Sequence, residues 1–221
     1  MMIYLGNSGK VPYLDRKEIA MQAEEILERY WGKELPVDVE AICDRLGISI
    51  LAVPNLAEMF YVDAFISADF KTIYVDEYEF DVESYRYRFS VAHELGHFIL
   101  HRKYYPDEMK SLEEWLEVSR RIIGDSAEFQ ANCFAGNLLA SEDGLIRVLN
   151  NEFGGSLAKN YWSVTPNELV GILEKVKKCF RVSGQVIARR MHETFPGVGE
   201  EVNLGIMEVK WHQGRQNLER N

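Results

Sequence analysis

The sequence predicts an α+β fold, and the order of its periodicities carries that prediction. Helical spacing comes first, over residues 15–46. Short β-branched stretches follow within 48–76, and helical spacing returns from residue 84. Helices, then one small sheet, then mostly helices again differ from the regular alternation of a βαβ repeat. Of the 221 residues 47% are apolar, enough to fill the core of one domain with a small appendage.

The first helix is expected over DRKEIAMQAEEILERYW, 15–31, where Ile19, Ala23, Ile26, Leu27 and Tyr30 recur at helical spacing. Asp15 and Glu18 stand as N-cap and capping-box partner. Pro36 and Asp38 open a short second helix, VDVEAICDRLG, which Gly47 stops. ISILAV, 48–53, is rich in β-branched residues and reads as a strand. AFIS, 64–67, and TIYVD, 72–76, flank the polar turn ADFK and read as a hairpin. TIYVD is either an edge that an extended peptide joins by strand addition, or an internal strand.

Further helices are expected over 84–101, 111–123, 126–140, 165–178 and 183–193, with Thr165 and Pro166 as N-cap and first helical residue of the helix at 165. After FPGVG the tail alternates in LGIMEVKW and then turns polar, a strand with a frayed end or an unfolded tail. The expected division is a domain of residues 1–145 and a helical C-terminal extension with its tail, 146–221.

Charge and cysteines narrow the function classes. With 25 basic and 35 acidic residues the net charge is −10, which repels phosphate backbones and disfavours nucleic-acid binding as the main role. The three cysteines, Cys43, Cys133 and Cys179, are odd in number and lie far apart, so a disulfide framework is not expected and a reducing compartment fits. Cys133 reads as a small core residue. The opening MMIYLGNSGKVPYLDRK lacks a charged start followed by an apolar run, and no stretch approaches a membrane span. A soluble cytoplasmic protein is expected.

The chemistry concentrates in FSVAHELGHFILH, 89–101. On a helix, residues four apart lie about 40° apart in projection and about 6 Å along the axis. His93 and His97 therefore project side by side, and two such imidazoles can hold one Zn²⁺ at about 2.0–2.1 Å each. Glu94 sits about 100° round from His93, displaced from the ligand direction and placed for a general base that acts on the hydrolytic water. Phe89, Ala92, Leu95, Phe98 and Ile99 surround the motif with apolar company. Gly96, costly inside a helix by about 1 kcal/mol relative to Ala, asks for a local reason: close packing of another element, or room for the metal.

A catalytic zinc site needs a third protein ligand. His101 lies a further turn along the same helix, and one straight helix does not readily converge three side chains at i, i+4 and i+8. It suits a hydrogen bond, helix-end packing or the cleft wall better. Glu128, in AEFQANCFAGNLLA, approaches from a second helix whose apolar face is Ala127, Ala131, Phe134, Ala135 and Leu138. By spacing alone Glu128 is equally well a first-turn acid favoured by the helix dipole.

FSVAHELGHFILH taken with EFQANCFAGNLL resembles the ImmA/IrrE family of zinc metallopeptidases. The upstream LPVDVEAICDRLGISI and the strand ending TIYVDE are similar to that family's approach to the motif, so the likeness runs over about residues 20–140. The resemblance implies a zincin-like fold, a small mostly antiparallel sheet packed on helices, with one zinc ion per chain. It assigns His93, His97 and Glu128 as ligands and Glu94 as the catalytic acid/base. It also implies a cytoplasmic endopeptidase that cuts a helix-turn-helix repressor and so derepresses stress, phage or mobile-element genes. The family commonly continues LL with Met-Pro, where this chain has LLAS. Residues 102–127 are long for the family and are expected to add a wall or lid.

Stabilising the oxyanion needs a positioned donor, for which Tyr104, Tyr105, His101 and His192 are candidates. Residues 174–193 are locally basic, with Lys175, Lys177, Lys178, Arg181, Arg189 and Arg190 around the break FRVSG. That spacing resembles a helix-turn-helix, but a solvated helix pair packed against the core is the favoured reading given the acidic whole. Two other readings stand beside the peptidase: a non-proteolytic zinc-containing regulator or toxin that binds a partner protein, and a DNA-associated regulator using 165–193.

Overall fold

The computed structural model describes residues 11–82, 84–105, 125–155 and 165–195. The chain forms two compact units, Met1–Leu139 and Ala140–Asn221. The expected helix at 111–123 and the C-terminal tail lie outside the described residues.

In the first unit α1 spans Arg16–Tyr30 and α2 spans Val39–Leu46. The Asp15 side chain accepts from the N–H groups of Lys17 and Glu18, and Glu18 accepts from Asp15 N–H at 2.8 Å, closing the expected capping box. Gly47 ends α2 at φ +74°, the left-handed C-cap that glycine reaches without a Cβ penalty. The strands are β1, Ser49–Val53, β2, Ala64–Ile66, and β3, Thr72–Asp76, with single-turn helices α3, Leu56–Phe60, and α4, Glu77–Asp81, beside them. Asp76 serves both turns: its carboxylate accepts from Ala57 N–H at 3.0 Å and from Tyr78 N–H at 3.1 Å.

The sheet order is β1-β3-β2. The hairpin forms as expected, β2 antiparallel to β3 with Phe65 opposite Tyr74. β1 joins β3 in parallel, so the sheet is mixed. TIYVD is therefore the central strand and not an edge; of its two alternatives the internal strand holds. Its residues Ile73 and Val75 are buried because the strand is covered by a neighbour on each side and by helix beneath. β2 takes the edge.

The motif helix, α5, runs Tyr85–Gly96, capped by Ser84 Oγ accepting from Tyr87 N–H at 2.9 Å. It continues as a π-helical turn, His97–His101, and a 3₁₀ turn, Arg102–Tyr104. Helix α6, Asp125–Leu139, packs on both α5 and α1, while β2 and β3 pack on α5. Ile19, Ala23, Val91, Ala92, Ala131, Phe134, Ala135 and Leu138 are all fully buried, and this seam fixes α5 against α6. No helix among the described residues is long and apolar enough to cross a membrane.

The second unit holds α7, Glu142–Glu152, α8, Pro166–Phe180, and α9, Gly184–Thr194. Ser141 caps α7, so the LLAS departure begins a new helix at once. Leu145, Leu149, Val176, Phe180, Ile187 and Met191 are among its buried apolar residues. The basic stretch is partly neutralised within the unit: Lys175 pairs with Glu152 at 2.9 Å, Lys177 with Glu174 at 2.8 Å, and Arg190 with Glu193 at 2.8 Å.

Candidate metal centre

The last turn of α5 and the start of the π-helical turn that continues it bring His93 and His97 together, with their Nε2 atoms 3.0 Å apart. Helix α6 brings Glu128 to the same point. One of its carboxylate oxygens lies 3.2 Å from His93 Nε2 and the other 3.3 Å from His97 Nε2. Glu128 thus stands beside the histidines and also in the first turn of α6. Among the described residues these three are the cluster of side chains that can share a metal ion.

The spacing itself tests the fit. A tetrahedral Zn²⁺ with bonds of about 2.0–2.1 Å has donor atoms about 3.3 Å apart. The 3.0 Å between the two histidine nitrogens approaches that separation, and the two Glu128 oxygens reach one histidine each at 3.2 and 3.3 Å, so the three side chains stand close enough to share one ion. Two imidazole nitrogens and a carboxylate oxygen are the donor set of a catalytic zinc site with one position left open. The Glu128 side chain is 46% exposed, and all three residues line the cleft, so an ion held there would be reached from it.

Electrostatics follow from the same contacts. Hydrogen bonds from His93 and then His97 hold the Glu128 carboxyl far below the usual carboxylate range, so it remains an anion. Burial opposes charge on His93, but the hydrogen bond to Glu128 and the charges of Glu94 and Glu128 outweigh it and raise its pKa. His101 goes the other way: burial, then the neighbouring His97, push it down to about 4. It is a neutral imidazole at ordinary pH.

Glu94 lies beside the triad, lining the cleft, with its carboxylate nearly buried. Its Oε2 accepts the Ile66 backbone N–H at 2.9 Å, which fixes the carboxylate against the edge strand. The cleft, about 430 Å³, is walled by β2, by Phe70 of the hairpin turn, by Phe89 and by Tyr105.

The structure distributes the secondary candidates differently. His101 is fully buried and touches His97, not the cleft. Tyr104 does not line the cleft; its ring packs toward Val11 and Ala127, under Lys103. Tyr105, the extended residue after the 3₁₀ turn, packs against the same pair and also lines the cleft, edge-on to Phe70 at 5.0 Å. His192 sits exposed on α9 in the second unit.

Sequence reasoning gave no role to Asn132 and Gln130. Asn132 Oδ1 lies 3.1 Å from His93 Nδ1, and Gln130 Oε1 lies 3.2 Å from His101 Nε2. The available signal was their polarity inside an apolar helix, Asn132 standing one turn from Glu128.

An HExxH helix, a carboxylate from a second helix and a small sheet walling an open cleft define a zincin-like domain of metallopeptidase type. The model of the peptidase M78 family, the IrrE N-terminal-like domain, matches residues 43–192. The chain belongs to that family. No curated protein matches it.

Proposed function

We propose that the protein is a zinc-dependent endopeptidase acting in the cytoplasm on a protein substrate, a helix-turn-helix repressor. The observation that carries the reading is the convergence of His93, His97 and Glu128 with the Glu94 carboxylate beside them in one open cleft. When bound, the ion supplies Lewis-acid polarisation of the scissile carbonyl and acidifies the hydrolytic water. Glu94 takes the proton from that water and returns it to the amine that leaves as the C–N bond breaks. The Ile66 N–H holds one of its oxygens, so the base does not swing away between the two transfers. Asn132 orients His93 by accepting from Nδ1, so that Nε2 is the lone pair once an ion takes the place of the proton it gives Glu128. β2, the edge strand along the cleft, offers the backbone against which an extended segment of substrate can lie. The substrate class rests on family membership and on the ImmA/IrrE resemblance of FSVAHELGHFILH and EFQANCFAGNLL.

The test incubates the zinc-loaded protein with a candidate repressor and follows cleavage by mass spectrometry. Glu94→Gln should keep its zinc and lose about 10²–10⁴-fold in rate. Equal action of Glu94→Gln and wild type on the partner would leave the binding regulator as the better reading.

A further inference from the structure

We infer that His101 and Gln130 are positioning residues that fix the tautomer of His97, through a one-way hydrogen-bond chain anchored on the backbone carbonyl of Pro12. The inference rests on His97 being a metal ligand, as proposed above.

The chain has a forced direction. A proline carbonyl can only accept, so the atom of Gln130 that faces Pro12 O at 3.0 Å is the amide nitrogen, which also lies 3.1 Å from Ser126 Oγ. The other end of the amide, Oε1, is then an acceptor, and His101 Nε2 at 3.2 Å must carry a proton to meet it. A neutral imidazole with its proton on Nε2 presents a lone pair at Nδ1. That lone pair lies 2.9 Å from His97 Nδ1, which must therefore be N–H. With an ion in place of the proton that Nε2 gives Glu128, a neutral His97 would then have its lone pair at Nε2, facing His93 and Glu128. Reversing any one link puts acceptor against acceptor or donor against donor along the whole chain.

Burial makes the chain obligatory. His101 and Gln130 are both 0% exposed, so water does not replace a missing partner. The π-helical turn at 97–101 contributes too: it sets the two rings with centroids 5.0 Å apart, Nδ1 to Nδ1, where both stay on one side of the helix. Gln130 and Glu128 sit on the same helix, so α6 delivers the third ligand and the orienting chain together. Pro12, before α1, is the far anchor, which ties the segment leading into α1 to the metal centre.

The experiment measures Zn²⁺ affinity of the full chain by competition with a chromogenic chelator, with helix content and apo melting temperature recorded alongside. His101→Phe keeps the ring shape and removes the acceptor; Gln130→Met keeps the length and removes the polarity. Both should bind Zn²⁺ about 10–100-fold more weakly than wild type. His101→Gln, whose amide oxygen can again accept from His97 Nδ1–H, should recover part of that loss. In the zinc-loaded wild type, nitrogen-15 NMR should show a slowly exchanging His97 Nδ1–H that is missing in His101→Phe. Wild-type affinity in both His101→Phe and Gln130→Met overturns the inference. So does a loss that tracks loss of helix and is not recovered by His101→Gln. Should His101→Phe fail to fold, Gln130→Met decides alone. A wild-type chain that takes up no Zn²⁺ overturns the metal reading itself, a result distinct from intact wild-type binding with indifferent variants.

Discussion

Gly96 and Ala131 meet backbone to backbone: a Cβ built on Gly96 would lie 3.0 Å from Ala131 Cα and 3.2 Å from its carbonyl oxygen. The glycine in the middle of HELGH is thus there for the approach of α6 to α5, not for room around a ligand. Gly96→Ala gains about 1 kcal/mol of helix propensity and meets helix backbone that cannot rotate away. Overpacking of this kind costs about 1–3 kcal/mol. The variant should be less stable by about 1 kcal/mol in urea unfolding. Because Glu128 lies one turn before Ala131, the same displacement should weaken zinc binding, which chelator competition reads independently of stability.

Glu128→Gln keeps the shape of the third ligand and removes its charge. The carboxylate spans both histidines, one oxygen toward each, and its side chain is half exposed. We expect the metal-free variant to fold and to melt somewhat below wild type, since the anion's hydrogen bonds to the two histidines are weakened. Its Zn²⁺ affinity should fall by at least about 100-fold, the upper end of what a change of an outer-shell partner costs. Zinc should raise the melting temperature of wild type and leave that of the variant almost unmoved, as linkage of binding to folding requires.

Much of this architecture was legible in the residues, and the parts that were not have physical reasons. Helices α1 and α2 announce themselves because Asp15, Glu18, Asp38 and Gly47 mark their ends chemically. α3 and α4 pass unnoticed because a five-residue helix has too few positions for a period. α7 passes because only Gly144, Leu145 and Leu149 of its eleven residues are buried. Nothing within TIYVD says which strand lies on its far side; the parallel partner β1 comes from more than twenty residues earlier. At the site, the i, i+4 histidines follow from helix geometry alone. Glu128 needed the second helix to be docked, and the role of His101 needed the π turn together with Gln130, which only tertiary structure brings together.

Cys43 gives a pH prediction well away from the site. Burial, then the charges of Asp44, Glu40 and Asp38, push its thiol up to about 12 from an ordinary 9.0. The folded state therefore keeps the proton over a range where the unfolded chain releases it. A group whose pKa is raised on folding contributes its stability below the unfolded value and loses it as pH rises through the folded one. Between pH 9 and 12 stability should fall with pH, by at most about 1.4 kcal/mol per pH unit for this one proton. Cys43→Ala should show a shallower decline than wild type when urea unfolding is measured from pH 8 to 10.5. Parallel declines would mean that the thiol ionises within the folded protein.

Phe70 is held in a conformation its side chain does not favour. It sits at φ +57° in the hairpin turn, its N–H donating to Ser67 O at 2.9 Å, while Ser67 N–H donates to Thr72 O at 2.7 Å. A left-handed residue with a Cβ costs about 1–2 kcal/mol, and glycine would avoid that cost. The ring offsets it: 5% exposed, it packs edge-on against Tyr105 and lies near Phe98, and it forms part of the cleft wall. Truncating a buried Phe costs about 3–5 kcal/mol, more than the backbone relief returns. Phe70→Gly should therefore lower stability by about 2–3 kcal/mol in urea unfolding. Since the ring also faces the substrate cleft, the variant should cleave peptides with a changed preference for the residue next to the scissile bond. A variant as stable as wild type would show that the turn, not the ring, decides what stands at this position.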